Sequence, residues 1–168
     1  MHKQEIIDFQ NTIWGYYRRY GRNFPWRSTY SGYEIMVSEF MLQQTQTARV
    51  KQVYPAFLER FPDIYTLAEA PLSEVLRQWQ GLGYYRRARF LHQSAGIIKN
   101  KYSGAIPTKR DKLLSLPGVG AATSGSLLAF VHEKPVVFIE TNIRRTFIYY
   151  FFPEKNKVRD SEIEVFMQ

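Results

Sequence analysis

Leu116-Pro117-Gly118-Val119-Gly120 is the stretch on which the reading of this chain turns. Two glycines and a proline within five residues make a tight turn, and helical pattern flanks it on both sides. On the near side, Thr108 followed three residues later by Asp111 predicts a capping-box-like start for a short helix to Ser115. On the far side, Ala121 to Val131 predicts a helix whose small residues Ala121, Ala122, Gly125 and Ser126 allow close helix approach. A helix N-terminus presents free amides and the positive end of the helix dipole, a ready site for phosphate. The bare pattern also suits ordinary packing between two helices. In a basic, helical chain it reads better as a hairpin that grips phosphate without regard to base sequence.

Outward from the hairpin the hydrophobic period is helical nearly throughout. Residues 3–20 suit a first helix with a broad apolar stripe of Ile6, Ile7, Phe9, Ile13, Trp14 and Tyr17, broken by Gly21 and Phe24-Pro25-Trp26. A second is expected from Gly32 to Thr45. Val50, Val53, Tyr54, Phe57, Leu58 and Phe61 mark the clearest helix, ended by Pro62. Pro71 opens a short one carrying Leu72, Val75, Leu76 and Trp79, stopped at Gly81, and another runs from Tyr85 to Tyr102, closed by Gly104. Lys134 to Ile139 reads as an extended link. Asn142 to Phe152 reads as a helix, although TFIYYFF suits a strand by propensity. Asp160 or Ser161 is the expected cap of a last helix.

Composition narrows the chemistry. The chain has 168 residues, 23 Lys plus Arg against 15 Asp plus Glu, and a formal charge of +8. Such a balance favours polyanionic partners. Basic residues stand beside aromatics in Tyr16-Tyr17-Arg18-Arg19-Tyr20 and Tyr84-Tyr85-Arg86-Arg87-Ala88-Arg89, where rings stack on bases and guanidinium groups hold phosphates. Cysteine is absent from these residues, which removes disulfides, thiolate metal sites, cysteine nucleophiles and a Cys-ligated iron–sulfur cluster from the expectation. His2, His92 and His132 have no metal-ligand spacing. No apolar run approaches a membrane span, and MHKQEIIDFQ lacks a signal-peptide core, so a soluble cytoplasmic protein is expected.

Two carboxylates stand out. On a helix, Glu39 shares its side with Ile35, Met36, Leu42 and Gln43, a mostly apolar face. It is either a proton holder with a raised pKa or a buried partner of Arg27 or Arg49. Glu140, in Phe138-Ile139-Glu140-Thr141-Asn142, stands where an extended segment becomes a helix. It serves either as an N-terminal helix charge or as the stabiliser of a developing cation. One protonated and one ionised carboxyl form the arrangement that cleaves bonds at an anomeric carbon. With DNA as partner, the reaction is hydrolysis of an N-glycosidic bond on a flipped-out base, both carboxyls converging on one deoxyribose.

FPWR (24–27), SEFMLQQTQ (38–46), FPDIYTLAEAPLSEVLRQWQGLGYYRRARFLH (61–92), LPGVGAATSG (116–125) and VVFIETNIRR (136–145) closely resemble the helix-hairpin-helix (HhH-GPD) DNA glycosylase superfamily. SEFMLQQTQ and GLGYYRRAR are similar to its MutY-type adenine DNA glycosylases rather than to the endonuclease III branch. The resemblance implies an all-α, two-lobed fold. The expected lobes are about 24–135, a six-helix type with the hairpin at 116–120, and 1–23 with 136–168, incomplete at its C-terminal end. It also implies roles. Glu39 matches the general acid and Asn142 the residue that orients the second carboxylate. Gln44 matches the glutamine that enters the base stack, Tyr84 the wedge beside the partner base, and Trp26 and Arg27, with Leu42, the base pocket. Gln43, Thr45, Tyr85, Arg86, Pro117, Gly118, Val119, Gly120, Ala122 and Thr123 complete the expected DNA contacts. The carbonyls of Leu114, Leu116 and Val119 are expected to hold a sodium or potassium ion, with no organic cofactor.

Four departures from the family pattern qualify the likeness. The family's catalytic aspartate falls at Glu140, one methylene longer, which moves the charge by roughly an ångström. The position of the Schiff-base lysine in bifunctional members is Ala122, so a water nucleophile and no strand cleavage are expected. Cluster-binding cysteines and an 8-oxoguanine-reading domain are not among these residues. This sequence stops at Gln168, where relatives continue with helices; were those helices missing, the apolar face of helix 3–20 would be partly uncovered. The expectation is a monomeric, monofunctional glycosylase on duplex DNA with a mispaired or damaged base, adenine first. Uracil, thymine or hypoxanthine excision, or DNA binding with weak catalysis, is the alternative.

Overall fold

The computed structural model describes residues 3–167; Met1, His2 and Gln168 lie outside the described residues. Ten α-helices follow in order among them: α1 (Lys3–Tyr20), α2 (Gly32–Leu42), α3 (Thr47–Arg60), α4 (Ile64–Glu69), α5 (Leu72–Gln78), α6 (Arg86–Tyr102), α7 (Arg110–Leu114), α8 (Ala121–Phe130), α9 (Thr141–Phe151) and α10 (Asp160–Glu164). A 3-10 turn at Pro25–Arg27 precedes α2. No strand occurs among the described residues, and none of their helices is long and apolar enough to cross a membrane. The chain divides into two compact units, Phe24–Val136 and Met1–Asn23 with Val137–Gln168.

In the unit of residues 24–136, α2 is the hub, packed against α3, α6 and α8. Tyr33, Ile35, Met36, Val37, Ser38, Phe40 and Met41 are all buried, so apolar contact surrounds this helix rather than lining one stripe. The stripe of α3 faces inward through Val50, Tyr54 and Phe57. Phe57 sets its ring 5.0 Å from Phe61 and edge-on to the fully buried Trp79 at 5.8 Å. Buried hydroxyls find carbonyls: Tyr33 donates to Phe61 and Tyr54 to Glu34.

Residues 1–23 and 137–168 cohere differently. Phe9 of α1 meets Phe147, Tyr150 and Phe151 of α9 at ring distances of 4.9–5.1 Å. Phe166 closes on Phe151 at 4.3 Å, and Arg144 ties α9 to Asp160 and to the Val158 carbonyl. Trp14 (60% exposed), Tyr16 and Tyr20 of α1 stay at the surface. The TFIYYFF stretch is helical, because its 3.6-residue spacing meets Phe9 on one side.

Several local readings are corrected. The helix expected to Thr45 stops at Leu42, and Gln44 takes a left-handed φ of 54°. Its end is fixed from outside, by Arg87 on its last carbonyls. Thr108 does not cap α7, whose start lies at Arg110; its carbonyl accepts from Lys134 Nζ. Arg159, rather than Asp160 or Ser161, stands at the N-cap of α10, its amide donating to Glu162 at 2.9 Å. α4 escaped the periodicity reading, although Asp63 accepts the Thr66 amide at 2.8 Å as a helix cap.

Candidate functional site

The hairpin closes through the Val119 amide on the Leu116 carbonyl at 3.2 Å. Gly118 has a φ of 77°, and a Cβ there would lie 2.8 Å from Phe40 and 2.9 Å from Phe90, so both backbone and space require glycine. Two side chains anchor the turn from within. Gln43 Nε2 donates to the Gly118 carbonyl and to Thr123 Oγ1, both at 3.2 Å, and Ser94 donates to the Pro117 carbonyl at 2.9 Å. Gly120, Ala121 and Ala122 are exposed at the start of α8, where the first helix amides lack carbonyl partners. That end can take an anion. Val119 buries its side chain in the core and Thr123 is buried, so any contact they make with a ligand is a backbone one.

Arg87 organises the neighbouring turns. Its Nη1 donates to the carbonyls of Phe40, Met41 and Gln43 at the end of α2, and its Nη2 to those of Leu82 and Gly83 before α6. The guanidinium lies 5.6 Å from the Trp79 ring centre and 5.5 Å from that of Tyr84. Its buried Nε has no hydrogen-bond partner. Burial lowers the Arg87 pKa from its usual value. The expectation that the guanidinium groups of the Tyr84-Tyr85-Arg86-Arg87-Ala88-Arg89 cluster hold phosphates is therefore corrected for Arg87, which spends its donors inside the protein. Sequence reasoning missed this role because a buried arginine and a surface arginine look alike in a charge count.

The turns that Arg87 joins present the two expected insertion residues. Gln44 (φ 54°) and Tyr84 (φ 46°) are both exposed on left-handed backbone. With Gln43, Arg86, Arg87, Phe90 and Gly118 they line one recess of about 320 Å³. Arg86 is exposed and lies over the Phe90 ring at 4.9 Å. Tyr85 is exposed beside it, and Thr45 is half-buried with its hydroxyl directed at the Gln43 carbonyl. Three motifs far apart in the chain thus share a surface.

Glu39 projects from α2, half-buried between the buried Ser38 and Phe40. Ser126 Oγ on α8 stands 2.5 Å from Glu39 Oε2 and 3.0 Å from the Thr123 carbonyl. Arg49, expected as a partner of Glu39, instead gives its Nε to the Gly81 carbonyl at 2.6 Å. Arg27 lies over the Phe24 ring at 5.3 Å. Trp26 stacks on Phe24 at 4.9 Å and meets Tyr54 edge-on, and it packs with Leu42 against the core.

Glu140, in the other unit, is the N-cap of α9. Its Oε1 accepts the Ile143 amide at 3.1 Å and its Oε2 the Asn142 side chain at 3.4 Å. The helix-charge reading of this residue is thereby realised, and its second oxygen is held by Asn142. Among the described residues no group of three or more His, Cys, Asp or Glu side chains is placed to hold a metal ion. Leu114 ends α7 and Leu116 and Val119 belong to the turn, where the Leu116 carbonyl accepts the Val119 amide.

Comparison with known proteins adds to this geometry. A family model described as HhH-GPD superfamily base excision DNA repair protein matches residues 37–167. The chain is 40% identical over 144 residues to the adenine DNA glycosylase of Buchnera aphidicola subsp. Baizongia pistaciae, covering 85% of this chain and 41% of that protein. It is 44% identical over 125 residues to the adenine DNA glycosylase of Mycolicibacterium smegmatis, covering 74% and 43%. The chain thus spans less than half the length of these relatives. A solved thermostable thymine-DNA glycosylase superposes with a TM-score of 0.87 at 27% identity, covering 98% of this chain and 77% of that one.

Proposed function

We propose, for a chain that belongs to the HhH-GPD superfamily of base excision DNA repair proteins, that it hydrolyses the N-glycosidic bond of a mispaired base flipped out of duplex DNA. Adenine opposite 8-oxoguanine or guanine is the first substrate, in keeping with the names of its curated relatives. One observation carries the reading: Gln44, Tyr84 and the hairpin glycine Gly118 line a single recess, on the unit whose hub helix bears Glu39. That is the assembly needed to hold a phosphate, unstack a nucleotide and protonate a leaving base.

In this mechanism the start of α8 and the hairpin hold the DNA backbone through amides. Gln44 and Tyr84 enter the stack, and Gln43, Thr45, Tyr85, Arg86, Pro117, Gly118, Gly120 and Ala122 form the surrounding surface, to which Val119 and Thr123 contribute through their backbone. Trp26, Arg27 and Leu42 line the base pocket. Glu39 gives its proton to the departing base. Glu140, held by Asn142, places its negative charge on the oxocarbenium-like sugar that remains. Water then attacks the anomeric carbon and loses a proton to the Glu39 carboxylate, which restores the acid. Ala122 offers no amine, so no imine forms and the strand is not cut by β-elimination.

The Leu114, Leu116 and Val119 carbonyls, neutral oxygen donors, would hold a sodium or potassium ion, whose charge would meet a DNA phosphate. We place the protein as a monomer on DNA in the cytoplasm and nucleoid. A second reading, excision of thymine, uracil or hypoxanthine, draws on the likeness to the thymine-DNA glycosylase and on the longer side chain at position 140.

Duplexes carrying A opposite 8-oxoguanine, U·G, T·G or hypoxanthine, treated with alkali after incubation, test the proposal. Breakage is expected with wild type on the adenine duplex and is expected to disappear in Glu39→Gln and Glu140→Gln. Breakage confined to another duplex selects the second reading. Binding without alkali-labile sites on any duplex leaves a DNA-binding protein. Strand cleavage without alkali overturns the monofunctional assignment. Affinity for undamaged DNA is expected to fall as salt rises.

A further inference from the structure

The sequence marks Ser126 as one of several small residues that let α8 approach its neighbour. The structure gives it a second task. Ser126 is 4% exposed, and its hydroxyl lies between two oxygens, Glu39 Oε2 at 2.5 Å and the Thr123 carbonyl at 3.0 Å, with one proton to donate. When Glu39 is ionised, that proton goes to the carboxylate, in a short charge-assisted bond. When Glu39 carries a proton, the carboxyl donates to Ser126 Oγ and the serine turns its own hydrogen to Thr123. Both states of Glu39 are therefore bonded at the same heavy-atom positions. A proton donor whose anion is received without rearrangement is organised for transfer before the reaction begins.

We infer that Ser126 is the positioning residue of Glu39, a rotating hydroxyl that holds the carboxyl in one place before and after it gives up its proton. The inference rests on Glu39 being the acid of the proposed reaction. The same helix supplies an internal control. Ser124 is also fully buried and donates to a carbonyl three residues back, Ala121 at 2.9 Å, in the same manner as Ser126 does to Thr123. Only Ser126 of the two has a hydrogen bond to Glu39. Alanine at either position keeps the helix, since it has the highest helical propensity of any residue.

The experiment compares Ser126→Ala with Ser124→Ala in the full chain, on a duplex carrying adenine opposite 8-oxoguanine. Single-turnover rates at saturating enzyme, affinity for a duplex with a non-hydrolysable 2′-fluoro adenosine, and thermal midpoints are measured. Ser126→Ala is expected to lower the rate by roughly ten- to a hundredfold, the scale of a misplaced reacting group. Affinity and midpoint should match those of Ser124→Ala, whose rate stays at the wild-type value. Equal losses of rate in both variants, or a loss confined to affinity, overturn the inference.

A second readout does not depend on turnover. The carboxyl stretch of Glu39, isolated as the infrared difference between wild type and Glu39→Gln, is expected to shift in Ser126→Ala. If wild type cleaves no duplex, the proposed function falls and this spectrum alone decides the serine contact. An unshifted band overturns it.

Discussion

Residues 24–136 and the paired segments 1–23 and 137–168 are both helical, yet they are held together in different ways. In the former, Met36, Phe40, Phe57, Trp79, Leu91 and Ile98 reach zero exposure. In the latter, among the described residues, only Ile163 reaches zero and only Val158 is otherwise buried, and α9 has no buried residue. Its aromatic rings meet at their edges while much of their surface stays wet. The comparison matters because each unit carries one of the two candidate carboxylates. Glu39 stands on a helix enclosed on nearly every side, whereas Glu140 caps a helix that lies at a surface. Placement of Glu39 is a property of a packed core; placement of Glu140 depends on a cap and one side-chain amide.

The same substitution made in both units tests this contrast most strongly. Phe57→Ala is expected to cost about 3–5 kcal/mol, the range for deleting a fully buried aromatic ring. Denaturant unfolding measures it, and an effect below that of Phe9→Ala would break the comparison. Arg87→Met comes next, at roughly 1–3 kcal/mol, because it strips hydrogen bonds from buried carbonyls. Its loss should also loosen Gln44 and Tyr84, read as faster amide exchange in residues 42–45 and 82–85. Gly118→Ala is expected to cost about 1–3 kcal/mol, because the new methyl meets Phe40 and Phe90 and the backbone is left-handed. Affinity for undamaged duplex should fall with it.

Phe9→Ala should be milder, about 1–2 kcal/mol, in line with the worth of a few tilted ring pairs. The smallest effects are acidic. The Thr66 amide holds the Asp63 carboxyl below its ordinary value of 3.8, and the Arg159 amide and Lys155 hold Glu162 below its ordinary 4.5. A lowered folded pKa adds stability that is complete above the ordinary value and disappears as pH falls through the lowered one. Unfolding midpoints from about pH 5 down to about pH 2 should therefore decline, and Asp63→Asn should flatten part of the decline while keeping the cap.

How far the sequence carried the fold can be judged on particular elements. The inward face of α3 was legible because Val50, Tyr54 and Phe57 obey a helical period that needs no knowledge of the partner. Gly118 was legible because a tight turn selects glycine locally. The end of α2 was not, because the arginine that holds it lies 44 residues beyond Gln43. The capping sites at Thr108 and Asp160 were misread for a related reason, since several residues near each helix start offer a cap and packing selects among them. α4 announced itself only through Asp63 and Thr66, a cap signal without enough apolar residues to show a period.

In the candidate site, the residue types and their order came from the sequence alone: the two carboxylates, the hairpin, Gln44, Tyr84, and the alanine at position 122. These are features of short segments, set by turn chemistry, periodicity and charge. The tertiary structure decided which arginine turns inward and which stays at the surface. It also brought Ser126 to Glu39 across 87 residues of chain. A hydrogen bond is specified by where two groups meet in space, and packing of α8 on α2 determines that meeting.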